Sequence, residues 1–88
     1  MKYRVTILRK MEKSISKMPL KAQQRLKRLV MDLMESGPVQ PGYMNYGRIG
    51  DETYHCHLTY HWVACWSCRK KALTVEVFYV GSRENAPY

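Results

Sequence analysis

The chain has 88 residues, 45% of them hydrophobic, so we expect one domain that spans residues 1–88 and buries a modest core. Fifteen Lys and Arg against seven Asp and Glu give a formal net charge of +8, which favours a polyanionic partner such as RNA or DNA. Because the sequence shows no membrane-length apolar run and no signal peptide, and an odd count of three cysteines, we expect a cytoplasmic protein without a disulfide framework.

The first half of the chain predicts one strand and two helices. Residues 2–9 alternate apolar and polar side chains, as a β-strand does. Residues 11–18 have helical apolar spacing, and Pro19 ends that short helix and suits the start of a second one over residues 19–35. Ser36-Gly37-Pro38 is a stop signal, so we expect the two helices to form a hairpin.

The second half of the chain predicts strands. They fall at residues 46–49, 53–60, 62–66 and 73–80, with a basic turn at 67–71. The near-continuous apolar character of the last strand favours an interior position in the sheet. The predicted fold class is therefore α+β: an N-terminal strand, a two-helix hairpin, and then antiparallel strands that form a small twisted sheet.

Two histidines are the first candidate catalytic residues. His55 and His57 are two apart in a predicted strand, so both leave the face that carries Tyr54, Cys56 and Leu58. RNA cleavage by attack of a ribose 2′-OH on the adjacent phosphate needs both a proton acceptor and a donor, and histidine does both near neutral pH. The alternative is an ordinary solvated sheet face.

The residues after the last strand are a second candidate site. Arg83 is placed to clamp a phosphate, and Tyr88 to stack on a base or bond a phosphate; the alternative is a frayed, exposed terminus. The basic helix face over residues 21–28 either binds phosphates or an acidic partner, or is simply solvated. Further candidate substrate-binding residues are Arg48, His61, Lys70 and Lys71.

The cysteines do not predict a metal site. Cys65-x-x-Cys68 resembles half of a zinc site, but no second half is present, and Cys56 points away from the histidines. We therefore expect buried thiols, no metal and no other cofactor. Four aromatic residues of the last strands are expected in the core rather than on a base-stacking surface: Trp62, Trp66, Phe78 and Tyr79.

Taken together, these pieces resemble the RelE/ParE toxin superfamily. Residues 18–26 look like the helical hairpin of those toxins, and residues 54–58 like the strand that presents two basic or proton-transferring groups. Residues 80–84, followed by Tyr88, are similar to the strand-end arginine and C-terminal tyrosine of the family. The resemblance covers nearly the whole chain and depends on the order of the pieces.

The resemblance implies a RelE-like microbial RNase fold and an mRNA interferase of a type II toxin–antitoxin system. Such toxins cut mRNA in the ribosomal A site without a metal, leave a 2′,3′-cyclic phosphate and a 5′-OH, and are neutralised by a cognate antitoxin. By this resemblance His55 and His57 handle protons, Arg83 stabilises the phosphate, and Tyr88 positions the nucleotide. Partners would be the antitoxin, mRNA and the ribosome.

Two departures leave alternatives open. RelE has lysines where this chain has His55 and His57. It also has a further arginine where residues 61–63 have none, so either His61 substitutes for it or that contact is missing. ParE-like toxins share the fold and inhibit DNA gyrase without cleaving RNA, and fold alone does not decide between the two activities. Binding of RNA without catalysis is a third possibility.

Overall fold

The computed structural model describes residues 2–69 and 71–88, and these ranges form an α+β domain as predicted. A short 3₁₀ turn, Arg9–Met11, precedes the first helix, and another, Arg83–Asn85, follows the last strand. The strands and α-helices of the described ranges are, in chain order, β1 Arg4–Ile7, α1 Glu12–Lys17, α2 Leu20–Ser36, β2 Gly47–Gly50, β3 Thr53–His57, β4 Trp62–Cys68 and β5 Thr74–Ser82.

The strands form one mixed sheet in the order β1-β5-β4-β3-β2. Strands β2 to β5 are antiparallel neighbours, as predicted, whereas β1 pairs with β5 in parallel, with Val5 opposite Val75. The alternating pattern of β1 carries no information on the direction of its neighbour, which is remote in sequence. Strand β5 lies between β1 and β4, which agrees with the interior position expected from its apolar run.

The main core lies between α2 and one face of the sheet. The helix buries a stripe at helical spacing, formed by Ala22, Leu26, Leu29 and Leu33. Opposite them the sheet presents Trp66, which is fully buried and whose Nε1–H donates to the carbonyl of Pro38 at 3.0 Å. This bond satisfies the one polar atom of the largest core side chain.

The end of α2 depends on a glycine. Gly37 has a φ of +85°, and a Cβ at this position would lie 2.5 Å from Cζ of Tyr3. The left-handed backbone and the close approach both require glycine. The chain can therefore leave the helix here and pass directly over the Tyr3 ring.

Strand β3 ends earlier than the sequence pattern predicts, at His57 rather than at residue 60. The chain turns at once, because the N–H groups of Leu58 and Thr59 both donate to the carbonyl of Trp62, at 2.7 and 3.2 Å. Tyr60 and His61 therefore lie on a turn beside the end of β5, not on a strand.

The three cysteines are buried, as expected. Burial raises the pKa of the Cys56 and Cys65 thiols to about 12, so both are neutral and behave as small apolar side chains. Within the described ranges, no group of three His, Cys, Asp or Glu is arranged to hold a metal ion, and no helix is long and apolar enough to cross a membrane.

Candidate active site

The two histidines lie on the sheet face that α2 does not cover. Cys56, between them, belongs to the core against α2, so His55 and His57 project to the other side. Residues that pair directly across strands share a face, which places two rows of side chains beside one another. The rows are His55-Cys65-Tyr79 and His57-Val63-Gly81.

His55 is held between the edge strand and the end of the chain. Its Nδ1 lies 3.2 Å from the carbonyl oxygen of Gly47, and its ring is 4.3 Å from that of Tyr88, at an interplanar angle of 46°. A proton on Nδ1 would be donated to that carbonyl, and in the neutral ring Nε2 is then a free acceptor. The contact with Gly47 therefore favours the tautomer that leaves Nε2 available.

His57 is only partly exposed, and its surroundings disfavour the charged form. Burial lowers the pKa of His57, and the charges of His55 and Arg83 lower it further, while a backbone group of Tyr60 acts weakly in the opposite direction. Among the described residues its buried Nδ1 has no hydrogen-bond partner of standard geometry. His57 is therefore held neutral to a lower pH than an ordinary histidine.

Arg83 is fixed in place by the turn after β3. Its Cζ lies 4.6 Å from the centre of the Tyr60 ring, and its backbone N–H donates to the carbonyl of His61 at 2.9 Å. The His61 ring in turn meets the edge of Tyr60, with centroids 4.9 Å apart. Because the guanidinium is held by a ring face and makes no hydrogen bond in the described part of the chain, its N–H groups are available to a phosphate.

Tyr88 packs one side of its ring against the histidine face, and the other side is exposed to solvent. Burial raises the pKa of its hydroxyl, with smaller contributions from Cys65, Cys56 and Tyr79, and Arg83 acts in the opposite direction. The hydroxyl is therefore a protonated donor at neutral pH. The C-terminal segment folds back onto the sheet and brings Tyr88 to His55.

The structure does not bring all the predicted substrate-binding residues to this site. Arg48 pairs with Tyr54, so it lies on the face opposite His55, and its Nη2 is 3.6 Å from Oδ1 of Asp51 in a well-exposed ion pair. Lys71 lies in the connection from β4 to β5, at the end of these strands away from the histidines. Lys70 lies outside the described residues. His61 is beside Arg83, as described above.

Two features were missed by the sequence prediction. Tyr60 supports Arg83, but the alternation of residues 53–60 assigned it to a strand, where it would not reach Arg83. A pocket of about 480 Å³ opens beside His57, between α2 and the loop that follows it. The basic face of α2 was the signal for this pocket, because Arg25 and Arg28 both line it.

Comparisons with known proteins bear on the fold of the chain. No protein-family model matches the chain, and no curated protein matches it significantly in sequence. Among solved structures, an archaeal RelE–RelB complex from Pyrococcus horikoshii matches with a TM-score of 0.76 at 20% identity, over 98% of this chain and 100% of that one.

Two further solved structures match over most of their length. The isolated RelE toxin of E. coli has a TM-score of 0.69 at 17% identity, over 97% of this chain and 88% of that one. A metal-bound toxin from Helicobacter pylori has a TM-score of 0.70 at 18% identity, over 93% and 96%. The resemblance inferred from the residues is thus confirmed at the level of the fold: over nearly its whole length this chain has the same fold as these solved RelE structures.

Proposed function

We propose that this protein is the toxin of a type II toxin–antitoxin system and a ribosome-dependent endoribonuclease that cuts mRNA in the A site and so inhibits translation. The observation that carries the proposal is the convergence of His55, His57, Arg83 and Tyr88 on one sheet face. Two proton-transferring rings can supply the base and the acid that cleavage through a ribose 2′-OH requires, and a guanidinium with no hydrogen bond among the described residues can stabilise the charge on the phosphate.

The lowered pKa of His57 favours it as the group that deprotonates the 2′-OH, since a base must be neutral before it can act. The oxygen then attacks the adjacent phosphorus, and the bond to the 5′-oxygen breaks, which leaves a 2′,3′-cyclic phosphate and a 5′-OH. His55, when protonated on both ring nitrogens, gives the proton of Nε2 to the leaving oxygen, and Arg83 stabilises the charge on the phosphate. Tyr88 holds the nucleotide, and no metal ion or cofactor has a role in this scheme.

The partners follow from the same likeness and from the charge. The Pyrococcus horikoshii RelE was solved with RelB, and we assign an antitoxin to this chain by analogy. A net charge of +8 suits both an acidic antitoxin and the RNA of a ribosome. The site of action is then the cytoplasm.

The test is primer extension on a reporter mRNA after induction of the wild type, His57→Ala and Arg83→Ala. We expect cuts within translated codons, reduced by about 100-fold or more in each variant, as typical acid–base and charge-stabilising contributions imply. Lys13→Ala, an exposed change on α1, serves as the control. Circular dichroism shows whether each variant is folded.

Other outcomes would decide against the nuclease. Growth arrest with intact mRNA and an SOS response would support a gyrase inhibitor of the ParE kind. Cleavage that persists at the wild-type level in a His57→Ala/Arg83→Ala double variant would remove the proposed site.

A further inference from the structure

A polar pocket of about 480 Å³ adjoins the histidine face. This volume is within the range of about 300–1,000 Å³ that ligand sites occupy. Helix α2 contributes Arg25, Arg28 and Asp32 to the lining, the loop after it contributes Tyr43, and the end of β3 contributes His57. The pocket thus lies where the proposed catalytic strand meets the basic helix.

Hydrogen bonds within the protein hold the walls of this pocket in place. Gln40 is buried, and its Nε2–H donates to the carbonyls of Gly37 and Asp32, at 2.9 and 3.1 Å. The Tyr43 hydroxyl donates to Oδ2 of Asp32 at 2.6 Å. The backbone N–H of His57 donates to the carbonyl of Met44 at 2.8 Å. The loop is therefore tied both to α2 and to β3, and the pocket is preformed.

The charges of the pocket favour an anion. Arg25 and Arg28 lie about one turn apart on α2, where side chains share a helix face. Arg25 donates through Nη1–H to the carbonyl of Leu58 at 3.0 Å and retains its other N–H groups, while Arg28 makes no hydrogen bond or ion pair in the described ranges. Among the described residues of the lining, Asp32 alone is acidic, and one of its oxygens already accepts a hydrogen bond from the Tyr43 hydroxyl.

The position of His57 indicates which anion. His57 is in the lining of the pocket at the end of β3, and its side chain projects to the sheet face that also carries Arg83, so the end of this strand joins the two cationic sites. An RNA strand whose reacting phosphate lies at His57 and Arg83 continues past them with further phosphates. We infer that the pocket is a second RNA subsite, in which Arg28 and Arg25 bind a phosphate next to the one that is cleaved. This inference rests on the proposed function, because the neighbouring phosphate is defined by the one that reacts at His57 and Arg83.

Binding of a fluorescein-labelled 2′-O-methyl RNA oligonucleotide, which cannot be cleaved, tests the inference. Fluorescence anisotropy would give Kd across a range of salt concentrations for the wild type, Arg28→Gln and Lys27→Gln. Lys27 is the matched control, since it is the exposed neighbour on α2, loses the same charge and does not line the pocket. We expect Arg28→Gln to weaken binding on the order of fivefold more than the control and to reduce the slope of log Kd against log salt by about 0.7, the loss of one phosphate contact.

Several results would overturn the inference. Equal affinities and equal salt slopes for Arg28→Gln and Lys27→Gln would overturn it. A wild type that does not bind the oligonucleotide would overturn it as well. If the variants bind RNA alike but differ in binding a glutamate-rich peptide, the pocket belongs to an acidic protein partner.

The pocket and the nuclease can fail separately. Arg28-dependent binding with no mRNA cleavage in cells would keep the phosphate subsite and refute the nuclease. Cleavage that needs His57, but is equal in Arg28→Gln and Lys27→Gln, would keep the nuclease and refute the subsite.

Discussion

The contact between Arg83 and Tyr60 gives a quantitative prediction for cleavage. The guanidinium carbon lies 4.6 Å from the ring centre, within the range of about 6 Å for a cation–π interaction. Because Tyr60 is 61% exposed, the contact is worth about 0.5–1 kcal/mol rather than the larger value of a desolvated pair. Replacing the ring by leucine should therefore lower kcat/KM by about 2- to 5-fold, if Arg83 acts on the transition-state phosphate.

The assay is single-turnover cleavage of mRNA on programmed ribosomes. Tyr60→Phe keeps the ring and should stay close to the wild type, whereas Tyr60→Leu should show the full loss. In an Arg83→Ala background, Tyr60→Leu should cost little further, because the cation–π contact through which the ring acts on Arg83 has been removed. The decrease should lie in kcat, since the ring positions Arg83 and does not itself bind the nucleotide.

Two results would refute this reasoning. If Tyr60→Leu lowers the rate by the same factor with and without Arg83, the ring acts independently of the guanidinium. If Tyr60→Phe is as defective as Tyr60→Leu, the hydroxyl matters and the ring face does not.

Further predictions concern stability and reactivity. Gly37→Ala should lower the free energy of unfolding by about 2–4 kcal/mol in a urea titration, because of the positive φ and the clash of the added Cβ with Tyr3. Gly42→Ala is the control: its added Cβ would meet no atom within 4 Å, and the change should be less than about 0.5 kcal/mol. The pKa of His57 in the folded state is below its ordinary value of 6.5, so the unfolded chain binds more protons. The free energy of unfolding of the wild type should therefore decrease as the pH falls below 6.5. That of His57→Gln should decrease less over the same interval. The Cys65 thiol should react with an aromatic disulfide reagent only as fast as the protein unfolds, and reaction before unfolding would show that it is accessible.

Local patterns in the sequence were enough to predict most of the elements. The apolar stripe of α2, the proline before it and the glycine after it are local signals, and the helix runs over Leu20–Ser36 as they predict. The alternation of β3 correctly separates the buried Cys56 from the histidines. The parallel pairing of β1 with β5 depends on packing between residues about 70 positions apart, and no pattern within β1 reports it.

Only part of the candidate site could be predicted, because here too local patterns do not report contacts between distant residues. Two histidines at i and i+2 share a face by strand geometry alone, so their proximity follows from the sequence. Tyr60 was assigned to the wrong element, since its turn is created by two hydrogen bonds to Trp62 that the alternation does not reveal. Arg48 seemed close to β3 along the chain, but the register with Tyr54 places it on the other face.

The C-terminal segment connects the site to the stability of the fold. Cys65 lies on the histidine face, away from α2, and is nevertheless fully buried. Tyr88 lies close enough for Cys65 to affect its pKa, and its ring contacts that of His55 at a tilt, so the segment that carries Arg83 and Tyr88 also covers this part of the sheet. Removing the segment would expose apolar surface as well as delete two site residues, and loss of activity on truncation would not identify a catalytic role. Substitutions at Arg83 and Tyr88 that keep the backbone in place are therefore the changes that can separate chemistry from folding.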